Sequence, residues 1–226
     1  MKKIYSFIIA AMMMVMASAA QAVPASVLLD FTREDAKDVL SGSYSDTTYT
    51  LTSNPSNSLN WNQLQDGSTC DSGALACHFD GIGIADDEIS EGGTESMTIS
   101  FGGQVSIDGL FFLDLFRRVG DPTDREIVKV DFQGGSKFIQ ADTAEIVGSG
   151  TSGYLFFALA PGEITTNFLT FTAPTGMGKD DRNNDYAVAA ISGVSVVPLP
   201  AALPLYGTGL AVMGLLGWRK KQRKNR

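Results

Sequence analysis

Apolar and polar residues alternate at period two through most of the chain between residues 23 and 196, and that spacing suits extended strands. Tyr49-Thr50-Leu51, Met97-Thr98-Ile99-Ser100-Phe101 and Val128-Lys129-Val130-Asp131-Phe132 each place apolar side chains on one face of a half-buried strand. Further strands are expected over 27–31, 43–52, 59–64, 105–115, 136–140, 154–160, 164–171 and 186–196. Gly102-Gly103 and Gly134-Gly135 fall between such runs and are expected as hairpin turns, because glycine accepts positive φ. Only 33–40 invites a short helix. Many short, evenly spaced strands without helices between them predict an all-β fold, an antiparallel two-sheet sandwich of jelly-roll type. About 175 residues fit one domain with a sizeable core, with neither a dividing linker nor an internal repeat.

Both ends differ from this body. Lys2 and Lys3 precede an apolar run from Ile4 to Met16, and small residues end in Ala20-Gln21-Ala22. That three-part layout predicts a secretory signal peptide over 1–22, read by the Sec translocon and cut by signal peptidase, with Val23 the first mature residue. At the other end, 197–226 opens with Val197-Pro198-Leu199-Pro200-Ala201. An uncharged apolar run follows from Ala202 to Trp218, then a basic end from Arg219 to Arg226. The run lies at the short end of the roughly 17 to 25 residues that cross a bilayer as a helix. Pro204 falls in its first turn, where a missing N–H costs nothing. A single transmembrane helix is expected, with its cationic end in the cytoplasm and the body, 23–196, outside.

The tail resembles the PEP-CTERM sorting signals of Gram-negative bacteria, in the VPLPA variant, with Leu199 where the commonest variant has Glu. The resemblance implies an exosortase as partner, a membrane cysteine transpeptidase that cuts near Val197 to Ala201. It implies passage through the inner membrane and then delivery to the cell surface or extracellular matrix. The segments Gly81-Ile82-Gly83-Ile84-Ala85-Asp86-Asp87-Glu88-Ile89 and Asn184-Asp185-Tyr186-Ala187-Val188 are similar to the bodies of many PEP-CTERM proteins.

All 25 acidic residues lie in the body, against nine of the chain's 17 lysines and arginines, a net charge of −16 there. Such a surface repels nucleic acid, which is excluded as a partner, and anionic lipid. Cys70 and Cys77 are the only cysteines, both in one polar loop of a chain bound for an oxidising compartment, and a disulfide between them is expected. His78 is the single histidine, which excludes metal sites needing two, and no nucleophile-elbow motif is present. Two acidic loops remain. Asp80, Asp86, Asp87 and Glu88 in the first, with Asp185 in the second, offer the oxygen ligands that Ca²⁺ takes. Solvated loops shaped by glycine and asparagine explain the same residues. Calcium is thus the one cofactor suggested, and no cofactor is required.

These readings combine into an exported, non-enzymatic surface or matrix protein sorted by an exosortase and associated with exopolysaccharide or biofilm. A calcium-dependent carbohydrate-binding module is the alternative, and a secreted glycan hydrolase, which needs only two suitably spaced carboxylates, the third. A sugar-binding module is expected to expose aromatics such as Trp61, Tyr44, Tyr49 or Tyr154 on one face, whereas a structural protein buries them.

Overall fold

The computed structural model describes residues 28–44, 46–61, 74–85, 88–90, 95–117, 124–142, 153–176, 184–193 and 195–196. The expected signal peptide, the sorting motif Val197 to Ala201, the apolar run after it, and Cys70, Asp86 and Asp87 lie outside the described residues. Among the described residues no helix is long and apolar enough to cross a membrane.

The described chain is all-β. In order it forms β1 (Leu28–Asp30), β2 (Ser41–Tyr44), β3 (Thr47–Asn54), β4 (Leu59–Asn60), β5 (Gly83–Ile84), β6 (Ser96–Ile107) and β7 (Gly109–Leu113). There follow β8 (Ile127–Phe132), β9 (Gly135–Gln140), β10 (Leu155–Ala158), β11 (Ile164–Thr172), β12 (Ala187–Ser192) and β13 (Ser195–Val196). A four-stranded sheet runs β1-β12-β7-β10, and a seven-stranded sheet runs β2-β3-β6-β11-β8-β9 with β13 also on β6. Every pairing is antiparallel. The two sheets share one apolar core, as a sandwich requires. Phe112 of β7 meets Phe171 of β11 edge-on across it, ring centroids 6.2 Å apart.

The inward alternation is kept by register changes. On β11 the ladder to β6 shifts between Thr166 and Phe168, so Ile164 and Thr166 face in before the shift and Leu169 and Phe171 after it. Thr166 makes that irregularity affordable: its hydroxyl donates to Phe168 O at 2.6 Å and accepts from the Gln133 and Phe168 N–H groups.

Several sequence expectations change. The run 43–52 is a hairpin, because Tyr44 pairs with Thr47 and reverses the chain. Gly102-Gly103 is no turn: β6 passes through it, and Ser100 and Val105 pair on either side of a bulge opposite β11. The strand expected over 105–115 breaks at Asp108, and the one over 186–196 breaks at Gly193. Both breaks are places where the chain leaves one sheet for the other, and they meet. A β-carbon on Gly193, whose φ is 72°, would lie 2.2 Å from the Asp108 carboxyl carbon, so only glycine fits. At Gly134-Gly135 a hairpin does form, with the turn one residue earlier, since Phe132 pairs with Gly135. The helix expected over 33–40 is only a 3-10 turn at Glu34–Ala36. It buries no side chain, and the left-handed Asp38 (φ 60°) ends any helical path.

A second apolar layer covers the outer face of the smaller sheet. Phe111, Leu113, Ala187, Ala189 and Ala190 point away from the main core yet are buried, under Leu75, Cys77 and Tyr154. Asp30 pins this cover to β1. Its carboxylate accepts from Thr32 N (2.9 Å), Thr32 Oγ1 (2.6 Å) and Ala76 N (2.8 Å), while Thr32 Oγ1 accepts from Cys77 N at 2.9 Å.

Candidate functional site

The two acidic loops expected to cooperate do meet, along the start of β12. Ile82 and Val188 exchange backbone hydrogen bonds of 3.0 and 3.1 Å, and Ile89 N–H donates to Tyr186 O at 2.8 Å. Residues 80–84 and 88–89 therefore run antiparallel to residues 186–188, which brings Glu88 towards the Asp185 end. Between its ends, Ile84 N–H closes on Glu88 O at 2.9 Å.

A third acid joins them that the sequence reading passed over. Glu126 stands just before β8, only 6% exposed, and hydrogen-bonds Asp185, with Glu88 close enough to repel it. The backbone holds it firmly. Phe116 N–H donates to its carboxylate, Glu126 N–H donates to Phe116 O at 3.0 Å, and Ala141 N–H donates to Glu126 O at 3.0 Å. Asn184, itself 2% exposed, fixes the other partner by accepting from Ile127 N at 2.9 Å and donating to Pro174 O at 2.7 Å. Burial, then the Asp185 charge and hydrogen bond, push the Glu126 carboxyl up to about 10, although the Phe116 N–H opposes the shift. At neutral pH Glu126 is therefore protonated and can share its proton with Asp185. The signal for it was present: carrying the Val128, Val130 alternation back two residues puts Glu126 on the inward face.

The other candidates are placed as follows. Asp80 is 7% exposed and lies at the opposite end of the Ile82–Val188 contact from Glu88. Among the described residues no group of three or more His, Cys, Asp and Glu is arranged to hold a metal ion. Asp86 and Asp87, the centre of the expected calcium set, are outside that statement. Cys77 carries no free thiol, while its expected partner Cys70 is not described. His78 is exposed. Of the four aromatics expected on a sugar-binding face, Trp61 (3% exposed) and Tyr49 (9%) belong to the core. Tyr44 and Tyr154 are half-buried on different sheets, Tyr154 against Phe111 at 6.3 Å. They form no common stacking face.

Neither a family model nor a curated protein matches the chain. Among solved structures it is similar to the crystal structure of the C-terminal domain of a chitobiase from Bacteroides fragilis, at 14% identity and a TM-score of 0.30. The match covers 66% of this chain and 95% of that one. A likeness at that level carries no argument.

Proposed function

We propose that this is an exported, non-enzymatic β-sandwich that an exosortase sorts to the cell surface or extracellular matrix, where it associates with exopolysaccharide. The observation that supports the reading most is the junction between body and tail. β13 is hydrogen-bonded to β6 through the pairs Ser195 with Ser106 and Val196 with Val105, and Val197, the first residue of the Val-Pro-Leu-Pro-Ala motif, comes next. The last described strand of the sandwich therefore ends where the motif begins, so a cut near the motif falls just past the described fold. The buried Tyr49 agrees with a structural role.

Intact-mass measurement of the exported protein, from cells with and without active exosortase, tests this. The expected mature chain begins at Val23 and lacks the residues from Ala202 onward only where the exosortase is active. A mature chain that keeps Ala202 to Arg226 in cells with active exosortase would overturn the sorting reading.

A calcium-dependent module is the second reading, favoured by the approach of Glu88 and Asp185 to Glu126, three carboxyl groups that do not by themselves form a metal site. A divalent cation beside them would let Glu126 ionise and would relieve repulsion that the folded chain otherwise carries.

A further inference from the structure

We propose that a cleft beside the unpaired end of β3 binds one residue of a neutral glycan chain. The proposal rests on the matrix-associated reading above and gives it a site.

The cleft follows from where β2 stops. β2 pairs with β3 only as far as Ser41 with Thr50, and the last link between the two segments is Leu51 N–H to Leu40 O at 2.7 Å. One residue before Val39, Asp38 takes φ 60° and turns the preceding chain away. The far end of β3 therefore has β6 on one side and, among the described residues, no strand on the other. The chain then reverses through residues 55–58. Ser53 holds that turn, its hydroxyl donating to Pro55 O at 2.7 Å and accepting from Ser58 N at 3.1 Å. β4 follows and brings Leu59 and Trp61 beneath. What is left between these segments is a cavity of about 300 Å³, at the small end of the range for ligand sites.

Its lining is divided in the way a pyranose is. Leu40, half exposed, makes an apolar surface for C–H faces over Leu59 and the largely covered Leu51 and Trp61, and Asp38, Thr52 and Asn57 supply oxygen and amide groups for hydroxyl edges. Those three polar side chains are exposed and enter no hydrogen bond or ion pair among the described residues. Asp38 is the single charged group of the lining, so hydroxyl donors are favoured and anions are repelled. Trp61 adds a further mark. Its indole N–H is buried without an acceptor among the described residues. Asp38 and Asn57 both hold left-handed backbone, φ 60° and 61°, which Asp and Asn tolerate better than most residues.

Trp61 also reports on its own site. The chain has two tryptophans, so Trp218→Phe leaves Trp61 as the sole emitter. The full chain with that change, in a sugar-free detergent, is titrated with cellotetraose, mannotetraose and chitotetraose, and with tetragalacturonate as an acidic counterpart. A saturable shift in Trp61 emission with a neutral oligosaccharide is expected, and little response to tetragalacturonate. Asp38→Asn and Asn57→Gly, both compatible with left-handed φ, should weaken the neutral ligand by roughly tenfold or more. Trp61→Phe, read by calorimetry, should also weaken it. No saturable shift with any neutral probe, or one unchanged in both cleft variants, overturns the proposal. Co-sedimentation of the same chains with exopolysaccharide from the producing cells separates the two readings. Sedimentation that the cleft variants leave intact rejects the cleft and keeps the matrix association. No sedimentation rejects the matrix association, and a saturable, variant-sensitive Trp61 response would still uphold the cleft.

Discussion

Gly81 lies against Val188 so closely that a β-carbon at position 81 would sit 2.5 Å from the Val188 carbonyl oxygen. The contact is what lets Ile82 bridge to β12 and brings the two acidic loops together. Gly81→Ala must either push the segment off β12 or strain a backbone at φ 117°. A loss of about 2 to 4 kcal/mol is expected from denaturant unfolding. Gly134→Ala is the control, with φ 106° and open space around it, and should cost about 1 kcal/mol. Equal losses would mean that the Val188 contact contributes nothing.

Glu126 makes stability depend on pH. Its carboxyl titrates near 10 in the folded chain against 4.5 when free, so the fold takes up a proton that the unfolded chain releases. Stability is then full below about pH 4.5 and falls as pH rises towards 10, by at most about 1.4 kcal/mol per pH unit. Glu126→Gln keeps one donor and one acceptor and removes that slope. Urea midpoints of the two proteins at pH 5, 7 and 9 should diverge, with the variant the more stable at pH 9. Curves that stay parallel would show Glu126 ionised in the native state.

Calcium reverses this linkage. An ion bound by Asp86 and Asp87 together with Glu88 or Asp185 would favour the ionised form of Glu126 beside them. The rise in melting temperature with calcium should therefore be larger at pH 8 than at pH 6. At a hundredfold excess over its dissociation constant, linkage gives about 2.7 kcal/mol, a shift of several degrees. Asp86→Ala should reduce it. An equal shift with magnesium, or none with calcium, leaves solvated acidic loops.

A Cys70–Cys77 bridge closes a short loop, so reduction should remove roughly 2 to 3 kcal/mol at most. The sandwich should stay folded, because Asp30 and Thr32 hold the Ala76 and Cys77 amides independently of any bridge. Non-reducing peptide mapping checks the pairing, and a single cooperative melt under reductant checks the fold. Two free thiols in the native protein would reject the bridge.

The sequence made the strands legible wherever one face was buried and the other wet. Ile164 to Phe171 and Val128 to Phe132 belong to that class, and both are strands of the larger sheet. It was less informative where the chain changes sheets. β12 is buried on both faces, so nothing alternates there to mark Gly193 as the end of one strand and the approach to another. A pair of glycines fits a turn and a bulge alike, and at 102–103 the choice was made by pairing with β11, a long-range event. Asp80 and Glu88 were visible as loop acids. Glu126 continued the inward alternation of Val128 and Val130, but a carboxylate between Arg125 and Ile127 resembles ordinary surface charge, and only the packing of Asp185 and Glu88 around it gives it a role. The cleft at Trp61 depends on where β2 ends relative to β3, which no local pattern specifies.

The absence of any spacer between β13 and Val197 bears on how the protein carries mechanical load. A pull applied beyond Val196 first meets the two-residue β13–β6 pair, which can be peeled away. Past Gly193 the tension enters β12 along its own axis, with β1 hydrogen-bonded on one flank and β7 on the other. Those ladders resist in shear, so a single-molecule trace should show a weak early step before a strong one. A cell that holds this sandwich by its C-terminus would grip it through a yielding strand backed by a resistant one.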